Sequence, residues 1–259
     1  MDRVISAPLF AAGWLAGMLL MMEVGRWAGR RRLARDPAKG MAGLGAVEGA
    51  LFGLFGLLIA FTFSGAAERL DVRRQLVTEE VNDIGTAYLR LDLLPAGAQT
   101  VLRSLFRDYV EARLAAYRKL PDMDAARAEL TRAEALQGEI WSRTVAATRD
   151  PAAHVDAAKL LLPALNAMID ITTTRTMATR IHPPAVIYGL LFVLGLACSI
   201  LAGFGMAESA ARSWVHVLGF TVIMGLSVFV ILNLEYPLLG FVRPSEYNEA
   251  LADLLRMMR

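Results

Sequence analysis

Hydrophobic positions in this chain gather into four long stretches without charge, at 4–22, 49–67, 183–207 and 213–234. A helix needs about 20 mostly apolar residues to cross a bilayer, because lipid offers nothing to satisfy a loose backbone group. Four such stretches predict four transmembrane helices, the first two at 4–23 and 44–65, the second of them accommodating Glu48. The first stretch is long for a cleaved signal peptide. It runs into Glu23, Arg26, Arg30, Arg31 and Arg32 with no small-x-small site before them, so it reads as a retained span.

Between the second and third stretches the pattern changes to a helical period. Leu70, Val77, Val81, Ile84, Tyr88 and Leu91 recur at threes and fours, and no proline intervenes before Pro95. The second span is therefore expected to run on as one long helix, softest at Gly65 and Gly85. A further helix is expected over about 98–120, with Leu102, Leu105, Phe106, Tyr109 and Leu114 inward and Pro121 as its stop. Another covers about 123–148, with Leu130, Ile140, Trp141 and Val145 inward. A last one starts with Asp150 as N-cap and Pro151 at the first helical position, kinks at Pro163 and reaches His182. The expected fold is all-α: a polytopic membrane protein with four transmembrane helices (4–65 and 183–234), a helical extramembrane bundle (66–182) and a tail (235–259).

Composition agrees, with 56% hydrophobic residues against about 45–50% in soluble domains. The 27 basic and 25 acidic residues nearly cancel, which argues against a nucleic-acid partner. Cys198 is the sole cysteine, so no intrachain disulfide forms. The segment after the first span carries Arg26, Arg30, Arg31, Arg32, Arg35 and Lys39 against Asp36. Short basic loops stay cytoplasmic, which puts both termini and the bundle on the opposite side.

Catalytic and metal motifs are missing. There is no phosphate-binding glycine loop, no H-E-x-x-H, no G-x-S-x-G and no paired-cysteine motif, and His154, His182 and His216 lie far apart. No enzyme, cofactor or metal is expected. Glu79, Glu80 and Asp83 share one turn and read as a solvated helix face. Thr172, Thr173, Thr174, Thr176 and Thr179, with Arg175 and Arg180, offer donors to an anion, although such a run more often marks a polar helix end.

The second span is the most informative. Gly45, Gly49 and Gly53 repeat every four residues with Gly56 beside them, a spacing that lets helix backbones approach closely. Leu54, Leu57 and Phe61 occupy neighbouring faces. Such a helix suits a narrow axial pore that gates by dewetting; the alternative is an ordinary bundle helix touching lipid with the same groups.

The run from Leu57 through Phe61, Ser64 and Ala66 to Arg69, Arg73 and Arg74 resembles the bestrophin pore-helix pattern, an apolar neck followed by small residues and A-x-x-R-(aromatic)-x-x-R. Glu235-Tyr236-Pro237-Leu238-Leu239-Gly240 resembles the bestrophin E-x-P-F-G turn. The stretch 79–95, with Glu80, Asn82 and Gly85, is similar to a bacterial bestrophin-like family, and the similarity extends over nearly the whole chain. The resemblance implies a homopentameric channel for small inorganic anions in the bacterial inner membrane. Leu57 and Phe61 would match two neck positions; the first falls on Gly53, where an apolar ring is expected. Leu70-Asp71 replaces the usual aromatic pair, and the acidic calcium clasp of animal members is not present. The resemblance also implies a cytoplasmic bundle, opposite to the side that the basic segment gives. The competing reading is a non-conducting membrane scaffold or sensor whose helical bundle binds a partner.

Overall fold

The computed structural model describes residues 7–35, 44–120, 122–209, 214–236 and 245–258, and among these every regular element is helical. The elements are α1 (Ala7–Arg35), α2 (Leu44–Leu89), α3 (Ala96–Arg118), α4 (Met123–Ala147), α5 (Ala157–Arg180), α6 (Ala185–Gly205), α7 (Trp214–Glu235) and α8 (Ser245–Met257). The chain divides into two units, one from residues 1–70 with 182–242, the other from 71–181 with 243–259.

In the first unit, α1 packs along α6 and α7. The glycines explain why. A Cβ on Gly25 would collide with the Ile200 carbonyl, and one on Gly203 with the Met22 carbonyl, so the α1 and α6 backbones meet where no side chain intervenes. Gly195 receives the Trp14 ring in the same way, and Gly225 of α7 receives Leu15. Around them Trp14, Met18, Phe55, Leu191, Cys198 and Val228 form the core. Three helices among the described residues are long and apolar enough to cross a membrane: the one that begins at α2, the one that contains α6, and α7. The basic segment expected as a loop is helical as far as Arg35. Arginine, leucine and alanine favour helix, and Gly25 and Gly29 keep that part of α1 against α6.

In the second unit, Ile84, Leu91, Leu102, Phe106, Tyr109, Ile140, Leu161, Leu165 and Met168 share one core, joined by Leu251 and Leu254 of α8. The stripes expected on α2 and α3 are inward. On α4 Ile140 is buried and Trp141 packs against the core as expected, but the buried line runs through Ala126, Ala133, Gln137 and Thr144, and Leu130 is 37% exposed. Short side chains sit where α3 packs closest to α4. The helix expected from Asp150 begins at Ala157. The Asp150 carboxylate accepts from the Ala152 N–H at 2.8 Å, and the His154 N–H donates to the Leu93 carbonyl at 2.9 Å. That tie to the 3-10 turn Arg90–Leu93 holds the intervening residues as turns. α2 passes through Gly65 and Gly85 unbroken, and α5 passes through Pro163. The ring removes the donor for the Lys159 carbonyl; Arg90 Nη1 donates at 2.6 Å to the Leu160 carbonyl beside it.

Candidate functional site

The outward face of α2 is the first part of the site. Its apolar stretch has neither a charge nor a proline, so it forms helix, and Phe55, Thr62 and Ala66 are its buried positions. Thr62 Oγ1 donates back to the Leu58 carbonyl at 2.8 Å and needs no other partner. Only 11% of this stretch is buried, against 28% in each of the other two long apolar helices. Leu57 and Phe61 are 51% and 68% exposed, and Leu54 and Phe63 are also outward. Gly45, Gly49, Gly53 and Gly56 are exposed, and a Cβ on any of them would meet nothing within 4 Å. Among the described residues no helix packs closely against these glycines; the close backbone contacts belong to Gly25 and Gly203.

At the end of this stretch α2 is clamped to α7. Glu235 is fully buried, a costly place for a carboxylate unless it is paired. Arg69 donates through Nε at 2.9 Å and through Nη2 at 2.7 Å to its Oε2. His182 Nδ1 lies 2.7 Å from Oε1. An ionised carboxylate only accepts, so Nδ1 carries the proton in this contact. The Tyr236 ring stacks on His182 with centroids 4.7 Å apart.

Two further charges of α2 are buried in the second unit. Arg73 donates to the Ala178 and Ile181 carbonyls, both at 3.2 Å, closing the C-terminus of α5 where the helix dipole is negative. Glu80 is fully buried. Its Oε1 accepts from Arg113 Nε at 2.7 Å and its Oε2 pairs with Arg175, whose guanidinium lies 5.1 Å from the Tyr117 ring centroid. The solvated-face reading of Glu79, Glu80 and Asp83 is thus corrected for Glu80. Glu79 is exposed and Asp83 half-buried, and burial, then Glu79, pushes the Asp83 carboxyl up. Arg74 is exposed, 3.9 Å from Asp71. Asn82 is exposed, and Gly85 faces Leu254. Pro237 and Gly240 lie outside the described residues, as does Pro121.

The residues that the motifs single out on α2 and α7 therefore meet: Arg69 with Glu235. A model of the bestrophin-like domain matches residues 16–246. The chain belongs to the bestrophin-like family. No curated protein and no solved structure matches it. The family is one of membrane proteins, generally channels rather than enzymes, and this bestrophin-like chain is a multi-pass membrane protein by its long apolar helices.

Arg113 escaped the sequence reading, as did the carboxylate partners of Arg175 and His182. Glu80 lies three residues after Val77 and four before Ile84, in phase with the inward stripe. Arg113 lies four after Tyr109, and Arg175 four after Ile171. A charge in phase with an apolar stripe signals a buried ion pair, because burial without a counter-charge would be prohibitive.

Proposed function

We propose that this bestrophin-like protein is a homo-oligomeric anion channel of the bacterial inner membrane, with α1 as a fourth span and the outward face of α2 around a central axis. The observation that carries this reading is the bare face of α2. Among the described residues a Cβ on Gly49 or Gly53 would meet nothing within 4 Å, and Leu57 and Phe61 are exposed, although α2 is apolar enough to cross a membrane. Copies of the same helix would use the glycines for close approach and present Leu57 and Phe61 to the axis. Two apolar rings make a constriction that water leaves readily, so an anion crosses only when the rings widen. Gly53 leaves the first neck position open, which favours a two-ring neck. The resemblance to bestrophins favours five copies.

The test is chloride efflux from liposomes together with the mass of the purified assembly. Wild-type protein should form a closed oligomer and pass chloride, and Leu57→Ala with Phe61→Ala should raise the flux severalfold. A monomer or dimer that passes no chloride at any pH or voltage would overturn the channel and return the scaffold reading.

A further inference from the structure

The threonine-rich end of α5 lines a cavity that the pore does not use. It lies within the second unit, among α3, α4 and α5, with a volume of about 210 Å³.

Its donors are unspent. Arg113 has a side chain only 8% exposed and commits its Nε to Glu80. Arg113 lines the cavity, and its Nη groups make no hydrogen bond among the described residues. Arg180 faces the same space with no ion pair among the described residues, and the Thr173 hydroxyl is likewise unengaged there. Thr172 and Thr176 donate back to helix carbonyls and contribute only bulk. A nearly buried guanidinium with free N–H groups calls for an anionic oxygen pair, which its planar fork matches. The other wall decides the rest of the ligand. Leu130 and Met177 offer apolar surface, which suits a carbon frame better than a hydrated inorganic ion, and Glu134 opposes a second negative charge while accepting a hydrogen bond.

We infer that this cavity is a binding site for a small aliphatic monocarboxylate with a hydroxyl at its far end. The carboxylate sits on Arg113, Arg180 and Thr173, and the hydroxyl donates to Glu134. Nothing in this assignment depends on conduction.

The experiment is calorimetric titration of the full-length protein in detergent with 4-hydroxybutanoate, butanoate, butanedioate and chloride. The hydroxy acid should bind tightest, with butanoate weaker and butanedioate and chloride weaker still. Arg180→Gln, at an exposed position that folding does not need, should weaken the hydroxy acid about tenfold, the loss of one charge-assisted contact. Thr173→Val should weaken it severalfold. Glu134→Gln should remove the preference over butanedioate. Arg113→Lys keeps a charge near Glu80 but lacks the fork, and should abolish binding with the far-ultraviolet spectrum unchanged. No heat with any probe, equal affinity in wild type and Arg180→Gln, or butanedioate binding tighter than the hydroxy acid would each overturn the assignment.

Discussion

Replacing Glu80 by glutamine leaves the Arg113 and Arg175 guanidiniums in a buried site with a single amide oxygen between them. Both oxygens of the native carboxylate are engaged, one by each arginine. A hydrogen bond to a charged group contributes about 1.5–3 kcal/mol, so two set a scale of about 3–6 kcal/mol. Removing one member of a buried ion pair costs about 3–5 kcal/mol for the same reason: the remaining charge keeps its desolvation penalty. The second unit has about 130 residues, which at about 2.1 cal/mol/K per residue gives an unfolding entropy near 0.27 kcal/mol/K. Glu80→Gln should therefore lower its melting temperature by about 11–18 °C. Glu139→Gln is the control. It breaks an exposed pair with Arg143, 2.8 Å long and one helical turn apart, worth about 0.3–0.5 kcal/mol, or about 1–2 °C. Thermal unfolding in detergent by far-ultraviolet circular dichroism reads both, and hydrogen exchange of the α3 amides assigns the transition to this unit. A Glu80→Gln shift below about 4 °C would refute the argument, because the two arginines would then tolerate each other without a counter-charge.

Three other outcomes are expected. Gly25→Ala or Gly203→Ala forces a methyl into a backbone carbonyl and should cost at least about 1–3 kcal/mol or abolish folded protein, whereas Gly49→Ala and Gly56→Ala should leave the monomer fold intact and lower the oligomer mass seen by native mass spectrometry. Glu235→Gln leaves Arg69 and His182 without a carboxylate and should destabilise the first unit by about 2–3 kcal/mol, discounted for the partial exposure of Arg69; an unchanged denaturation midpoint would refute this. Burial and Glu79 raise the Asp83 carboxyl above 3.8, so the folded state holds a proton that the unfolded chain has released between that value and the raised one. Its charge therefore opposes folding above that window, and Asp83→Asn should raise the melting temperature at pH 7 with the gain vanishing as pH falls to 3.8.

How much of this was legible in the sequence follows from what each signal measures. Apolar run length registers the solvent around a helix, so α2, α6 and α7 were readable as spans. Period registers which face is buried, so Leu70, Val77 and Ile84 are legible on α2 and Leu91 in the 3-10 turn after it. Neither signal registers a partner. Gly45, Gly49 and Gly53 form the conspicuous small-residue repeat, yet Gly25 and Gly203 carry the close contact inside the chain. The N-cap chemistry of Asp150 and Pro151 was sound locally and lost to a long-range bond, His154 to Leu93, that no local pattern encodes. Glu80 reads as solvated because Glu79 and Asp83 beside it are acidic, whereas its phase with Val77 and Ile84 is the inward one.

The Arg69–Glu235 pair bears on the α2 face because a helix has a rotational phase. At roughly 100° per residue, Phe55, Thr62, Ala66 and Arg69 fall within about 60° of one another, while Leu57 and Phe61 lie about 120° and about 80° from Arg69. The three buried positions alone do not fix that phase strongly: Ala66 is small, Thr62 satisfies itself, and Leu58 and Ile59 offer the core alternative apolar groups. Turning α2 by one residue would bring Gly56 toward the core and carry Leu57 away from its outward position without exposing any charge. Arg69 removes that freedom. Its forked contact with a fully buried carboxylate tolerates little rotation, since misalignment would leave Glu235 short of an acceptor's share of donors in a place water does not reach. An ion pair at the end of the apolar stretch thus sets the direction in which Leu57 and Phe61 point two to three turns away, and it does so with the two side chains that the family motifs on α2 and α7 have in common.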